Sequence, residues 1–210
     1  MGWFDFTRSP DGTAVETLHI PLFPLNTVLF PGGLQPLKIF EQRYLDMAAA
    51  CLKDNTPFGI CLIDKGREVG EGAVPHAVGT LASIGDWEME QLGILMITAR
   101  GGRRFRIIES SVGAGNLIEA KVELLAEPGP TPMPPERQRL LPLLRRIAAD
   151  LGKERLPEPH RFDDAEWVGY RVTEVLPIQN LAKQKLLELD DPLARLEILE
   201  KYLDQRKLLG

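Results

Sequence analysis

Between His19 and Tyr44 the chain reads HIPLFPLNTVLFPGGLQPLKIFEQRY, and the prolines set into this apolar run restrict its folding more than any other feature. Pro21, Pro24, Pro31 and Pro36 each remove a backbone donor and fix φ, while Gly32 and Gly33 supply a turn that residues with a Cβ make poorly. The apolar residues between them are therefore short strands bent at set points. Such strands belong at a sheet edge or a barrel corner, because an interior strand with several prolines forfeits ladder hydrogen bonds.

The rest of the chain falls into two halves of different periodicity. Up to Ala126 the apolar pattern is mostly period two: Ile118, Ala120, Val122 and Leu124 alternate with Leu117, Glu119, Lys121 and Glu123, which predicts an antiparallel strand with one buried face. Similar strands are predicted over 58–63, 78–84, 92–98 and 103–109, with Gly101 and Gly102 as a hairpin turn between the last two. One helix interrupts the set, where Phe40, Tyr44, Ala48, Cys51 and Leu52 recur at helical spacing along an alanine-rich segment. Residues 127–135, EPGPTPMPP, contain five prolines in nine residues and read as a junction.

Beyond the junction the pattern is helical. Leu140, Leu144, Ile147 and Leu151 form a stripe that Gly152 ends. Asp163 with Glu166 three residues on reads as a capping-box variant, opening a helix buried along Val168, Val172, Val175 and Leu176. Asn180 is placed to cap a short helix through Leu189. Asp191 followed by Pro192 starts the last helix, buried along Leu193, Leu196, Leu199 and Leu203. These readings give a tail over 1–16, a β-rich domain over 17–127, a proline-rich linker over 128–135 and a helical subdomain over 136–210.

The opening stretch resembles the start of the Lon N-terminal domain, the substrate-recognition part of the ATP-dependent Lon proteases. The resemblance rests on Phe23-Pro24-Leu25, Leu29-Phe30-Pro31-Gly32 and Pro36-Leu37-Lys38-Ile39-Phe40-Glu41, ending in Arg43 and Tyr44, and it looks most like stand-alone members of that family. The C-terminal stretch from Leu176 to Leu203 is similar to the family's closing helices, so the likeness covers roughly residues 17 to 205. It implies an α+β fold: an N-terminal twisted antiparallel β pseudo-barrel of PUA-like type, crossed by one helix, then a C-terminal helical bundle.

The composition excludes several function classes. At 210 residues, 44% hydrophobic and 26% charged, the chain is ordinary for a globular protein, and its net charge of −5 disfavours general binding to nucleic acid or anionic membranes. Cys51 and Cys61 fit neither a disulfide framework nor a zinc knuckle and read as buried residues. Asp5 and Gly12 interrupt the place where a signal peptide needs its apolar core, and Phe6 stands where a myristoylation motif wants Ser or Thr. No run reaches the length of a membrane span. A cytoplasmic protein is expected.

Chemistry is hard to assemble from these residues. The only Gly-Lys pair, Gly152-Lys153, is followed by Glu154 rather than the Ser or Thr of a P-loop, and GEGAVP at 70–75 fails the dinucleotide pattern. Ser9, Ser83, Ser110 and Ser111 lie in no nucleophile elbow. His19, His76 and His160 have no metal-ligand spacing, and the acid pairs Asp163-Asp164 and Asp190-Asp191 precede helical runs, where capping is their natural role. The serine and lysine of a Lon peptidase, implied by the resemblance to lie in a separate domain, are not found. The expectation is no enzyme, no cofactor and no metal.

Recognition remains. Leu29, Phe30, Pro31 and Leu34 are candidates to line a peptide groove between the β part and the helices, although most apolar residues of the opening run belong to the core. Trp87, between Asp86 and Glu88, is a further candidate, more exposed than Trp167. The reading is a non-catalytic module for unfolded or extended polypeptide, an adaptor in proteolysis or quality control working with a protease or ATPase in trans. Two alternatives stand beside it. Arg100, Arg103, Arg104 and Arg106 flank the expected Gly101-Gly102 turn and would serve a PUA-like RNA-binding hairpin, against a solvated hairpin with Arg104 and Arg106 paired to Glu88, Glu90 or Glu109. A glycine with basic residues at this turn is also frequent in Lon-like domains. The other alternative is a small hydrolase whose site is assembled only by the fold.

Overall fold

The computed structural model describes residues 4–8, 14–70 and 72–209. Among them, eight strands come first: β1 (Phe4–Arg8), β2 (Ala14–Leu25), β3 (Leu34–Ile39), β4 (Phe58–Lys65), β5 (Val74–Pro75), β6 (Val78–Gln91), β7 (Ile94–Val112) and β8 (Ile118–Leu124). Helix α1 (Gln42–Asp54) lies between β3 and β4. The order β2-β8-β7-β6-β4 closes on itself, because β2 also pairs with β4. The expected pseudo-barrel is therefore present, antiparallel except at the closing seam, where β2 and β4 run parallel from Leu22↔Gly59 to Leu25↔Leu62.

The prolines sit where ladders change. On one side of β2, pairing with β1 covers residues 14–18 and pairing with β4 covers 22–25, so Pro21 falls in the interval between partners. Pro24 lies past Leu22, where the β8 ladder ends. Pro36 is on β3, an edge strand whose named partner is β7. Pro31 and Gly32 are the central residues of a turn in which Gly33 N donates to Phe30 O at 2.9 Å, and Gly32 takes φ +72°, the geometry a type II turn requires.

Two expectations change here. The segment read as a tail contains β1 and the start of β2. Gly101 and Gly102 are not a hairpin turn: β7 runs straight through them, and the β6–β7 hairpin turns at Leu92 and Gly93 instead, with Gly93 at φ +85°. The cause is the opening turn. Gly32 N donates to Gly101 O at 2.8 Å and Gly101 N to Gly33 O at 2.9 Å, and a Cβ on Gly101 would stand 2.2 Å from Phe30 O. The two Gly-Gly pairs are the two halves of one close backbone contact.

Two apolar clusters fill this unit. One unites Leu29, Leu37, Ile39, Leu95 and Ile97 with Tyr44, Met47, Ala48 and Cys51 of α1, where the Phe23 and Tyr44 rings stack at 4.0 Å. The other joins Ile20, Leu22, Cys61 and Phe105 to the buried face of β8, which keeps the alternation its sequence predicts. Phe40, expected on the buried stripe of α1, is 53% exposed, because the helix begins only at Gln42. Both cysteines are buried, and burial pushes both thiols up from the ordinary range.

The chain divides into two units, Met1–Ala126 and Glu127–Gly210. In the second, a 3-10 turn over Pro135–Leu140 leads into α2 (Leu141–Leu151), followed by α3 (Ala165–Val175), α4 (Asn180–Glu188) and α5 (Pro192–Gln205). The proline-rich segment is not a free linker: Ala165 N donates to Thr131 O at 2.7 Å, Met133 N to Asp163 O at 2.8 Å, and Met133 is buried. Asp191 caps α5 as expected, accepting from Leu193 N at 2.8 Å. The cap of α3 is Asp164 rather than Asp163, accepting from Glu166 N at 3.0 Å, and Asn180 is already inside α4, with Gln179 before it.

Helix α3 is buried on nearly every side and brings charge inside with it. Arg195 of α5 stacks 4.1 Å over the Tyr170 ring, donates from Nε to Leu186 O at 2.9 Å and also donates to Leu189 O, supplying the end of α4 with donors that its own backbone lacks. Arg171 meets Glu174 at 2.9 Å. Burial pushes the Glu174 carboxyl up to about 7, against the opposing pull of Arg171 and Lys183.

Candidate polypeptide-docking surface

The β6–β7 hairpin outruns the barrel. Pairing of β6 with β4 stops at Ala82, so from Ser83 to Gln91 the named strand partner of β6 is β7 alone, while β3 lies along the far side of β7. Two cross-strand rows run over this three-stranded flap, Leu37–Ile97–Trp87 and Ile39–Leu95–Met89. Their inner residues are core. Their outer ends are open: Trp87 is 58% exposed, Met89 56%, and Leu92 at the turn 97%. Asp86 and Glu88 flank them, both exposed.

This arrangement offers two things to an incoming chain. An edge strand presents main-chain donors and acceptors that accept any sequence, and apolar side chains beside it favour segments with apolar residues of their own. The β6 edge is also blunted against pairing with a copy of itself, since bulges interrupt its register between Ile84 and Trp87 and between Met89 and Gln91, and its exposed charges are acidic.

The other candidates separate. Leu29 and Phe30 are 3% and 0% exposed and are core, tied down where Thr80 Oγ1 donates to Leu29 O at 2.6 Å. Pro31 and Leu34 are half-buried, with Leu34 in a row with Arg100 and Ser83 rather than with Trp87. None of these four lines the groove of ≈240 Å³ beside β3, whose lining includes Phe23, Gln35, Phe40 and Val69.

The arginines are likewise not one cluster. Arg104 is buried at 2% exposure, which overturns its expected place on the outer face paired to Glu88, Glu90 or Glu109. Arg103 binds Glu16 at 2.5 Å, and only Arg100 and Arg106 are exposed, with Arg106 opposite Glu123. Spacing around a presumed turn suggested a hairpin tip, whereas these positions lie along mid-strand.

For the hydrolase alternative, a groove of ≈590 Å³ does bring His19, Ser110, Ser111, Asp46 and Asp54 together. Among the described residues, no hydrogen bond joins His19 to a serine hydroxyl or to either carboxylate, and no three His, Cys, Asp or Glu side chains are grouped to hold a metal. No helix among the described residues is long and apolar enough to cross a membrane.

The family comparison agrees with this fold and extends it. Residues 19–205 match the model of the ATP-dependent protease La (LON) substrate-binding domain. The chain belongs to the Lon substrate-binding domain family. Among Lon relatives, Lon protease 1 of Bdellovibrio bacteriovorus is 32% identical over 136 residues, and the Lon protease of Cytophaga hutchinsonii is 25% identical over 196 residues. These alignments take in 63% and 89% of this chain but only 17% and 24% of those proteins. A crystal structure of a Lon N-terminal domain protein from Xanthomonas campestris superposes with a TM-score of 0.74 at 35% identity, covering 88% of this chain and 98% of that one. The N-terminal domain of a Mycobacterium avium complex Lon protease, at 20% identity and TM-score 0.63, shares the fold.

Proposed function

We propose that this Lon substrate-binding domain is a non-catalytic recognition module that takes unfolded or extended polypeptide on the β6 edge of its hairpin, in the service of a protease or ATPase. The observation that carries the reading is the pair of cross-strand rows that begin in the core and end in exposed Trp87 and Met89 on a strand edge. Pairing with the core residues Ile97 and Leu95 fixes the backbone positions of Trp87 and Met89, so the strand itself needs little ordering on binding. The Lon relatives support the polypeptide as the class of ligand.

Titration with a permanently unfolded probe, a reduced and alkylated protein carrying a fluorophore, tests this. Trp87→Ala combined with Met89→Ala is expected to weaken binding by about tenfold or more, as for other buried-upon-binding aromatic anchors, with little change in thermal midpoint. Unchanged affinity in a folded double variant would remove the hairpin from the recognition surface.

A further inference from the structure

Away from the hairpin, one wall of the ≈590 Å³ groove is a stripe of α1. Asp46, Ala50 and Asp54 recur at i, i+4 and i+8, with Met47 and Cys51 beside them. The other wall is formed by β2, β8 and β7 in three aligned rows: His19–Lys121–Glu109, Ile20–Ala120–Ser110 and Pro21–Glu119–Ser111. Eight residues of helix span about 12 Å, and an extended chain covers that distance in about four residues. The volume lies in the range of sites that enclose a small ligand or a few side chains.

Charge selects among possible occupants. Asp46, Asp54, Glu109 and Glu119 line the groove against a single lysine, Lys121, which stands opposite Glu109. Asp46 accepts a hydrogen bond from Gln42 at 2.7 Å, and among the described residues Asp54, Glu109 and Glu119 are in no ion pair. Between these carboxylates the accessible apolar lining is exposed Ala50 and half-buried Leu117, with the core residues Ile20 and Met47 forming the floor beneath them. A nucleic acid or an acidic segment would be repelled. We infer that this groove is a second polypeptide site, which takes about four residues of extended chain with aliphatic side chains flanked by lysine or arginine.

The inference rests on the polypeptide-recognition reading but concerns a different surface and a narrower ligand. Trp87 and Met89 do not line the groove, so the two sites are separable by mutation. Three fluorescent peptides with the same aliphatic centre, flanked by Lys, Gln or Asp, are titrated against the full chain, the Asp46→Lys/Asp54→Lys variant, Ala50→Arg and the Trp87→Ala/Met89→Ala variant. Asp46, Ala50 and Asp54 are all exposed helix positions, so these variants are expected to fold, and circular dichroism verifies it.

The expected result is about fivefold tighter binding of the Lys-flanked than the Asp-flanked peptide at low salt, the sum of a few exposed ion pairs. Charge reversal on α1 abolishes or inverts that preference, Ala50→Arg weakens the Lys-flanked peptide, and the hairpin variant keeps the preference. Peptides that bind with no response to charge reversal or to Ala50→Arg overturn this site while leaving the hairpin reading intact. If no peptide binds the native chain, the groove proposal falls, and the hairpin reading stands or falls separately on the unfolded-protein titration. Self-association that charge reversal removes, without peptide binding, gives the groove to a second copy of the chain and also overturns the proposal.

Discussion

At Gly101 a missing methyl group decides whether the opening turn can reach β7. With a Cβ only 2.2 Å from Phe30 O, Gly101→Ala must displace backbone and break the two hydrogen bonds that hold Gly32 and Gly33. It is expected to cost about 2–3 kcal/mol by denaturant unfolding. Gly102→Ala is the control: its Cβ would meet Leu81 O at 3.5 Å, ordinary contact, and a change within about 0.5 kcal/mol is expected. Equal effects would remove the close approach as the reason for the glycine. Sequence alone shows two adjacent glycines between apolar runs, and a hairpin turn is the local reading of that pattern. The partner that makes the real reason visible, Phe30, is about 70 residues upstream, beyond any window of local periodicity.

Helices and strands were legible in proportion to how local their causes are. The alternation of β8 and the Asp191-Pro192 start of α5 are written in consecutive residues, and both are found as read. The start of α3 missed by one residue because Asp163 and Asp164 both have cap chemistry, and the choice is made by Met133 and Thr131 pairing with the backbone at 163 and 165. Thermal unfolding can tell the two apart: Asp164→Ala is expected to cost about 1–2 kcal/mol and Asp163→Ala well under half of that. The reverse order would restore the capping box at Asp163. The hairpin surface was half legible. Trp87 stood out by its acidic neighbours, but Met89 gained its place only through a register set by two bulges.

In the molecule as a whole, charge inside the second unit ties stability to pH. Glu174 has its pKa raised by burial to about 7 from 4.5, so the native state holds this proton more tightly than the unfolded chain does. Its contribution is full below about pH 4.5 and is lost as pH rises through about 7. Thermal midpoints of the native chain and Glu174→Gln, followed from pH 4.5 to 8, should therefore diverge, with the native chain losing ground to the variant as pH rises; parallel curves would reject the titration of Glu174. The barrel has a consequence of another kind. β2 finds its antiparallel partner β8 about a hundred residues later in the chain, as in Leu18↔Val122. On a ribosome, which delivers the N-terminus first, the proline-bent strand must wait for most of its unit to be made before that ladder can form. Until β8 emerges, the β2 residues from Thr17 to Leu22 thus stand as an open strand edge with apolar Leu18, Ile20 and Leu22 exposed along it.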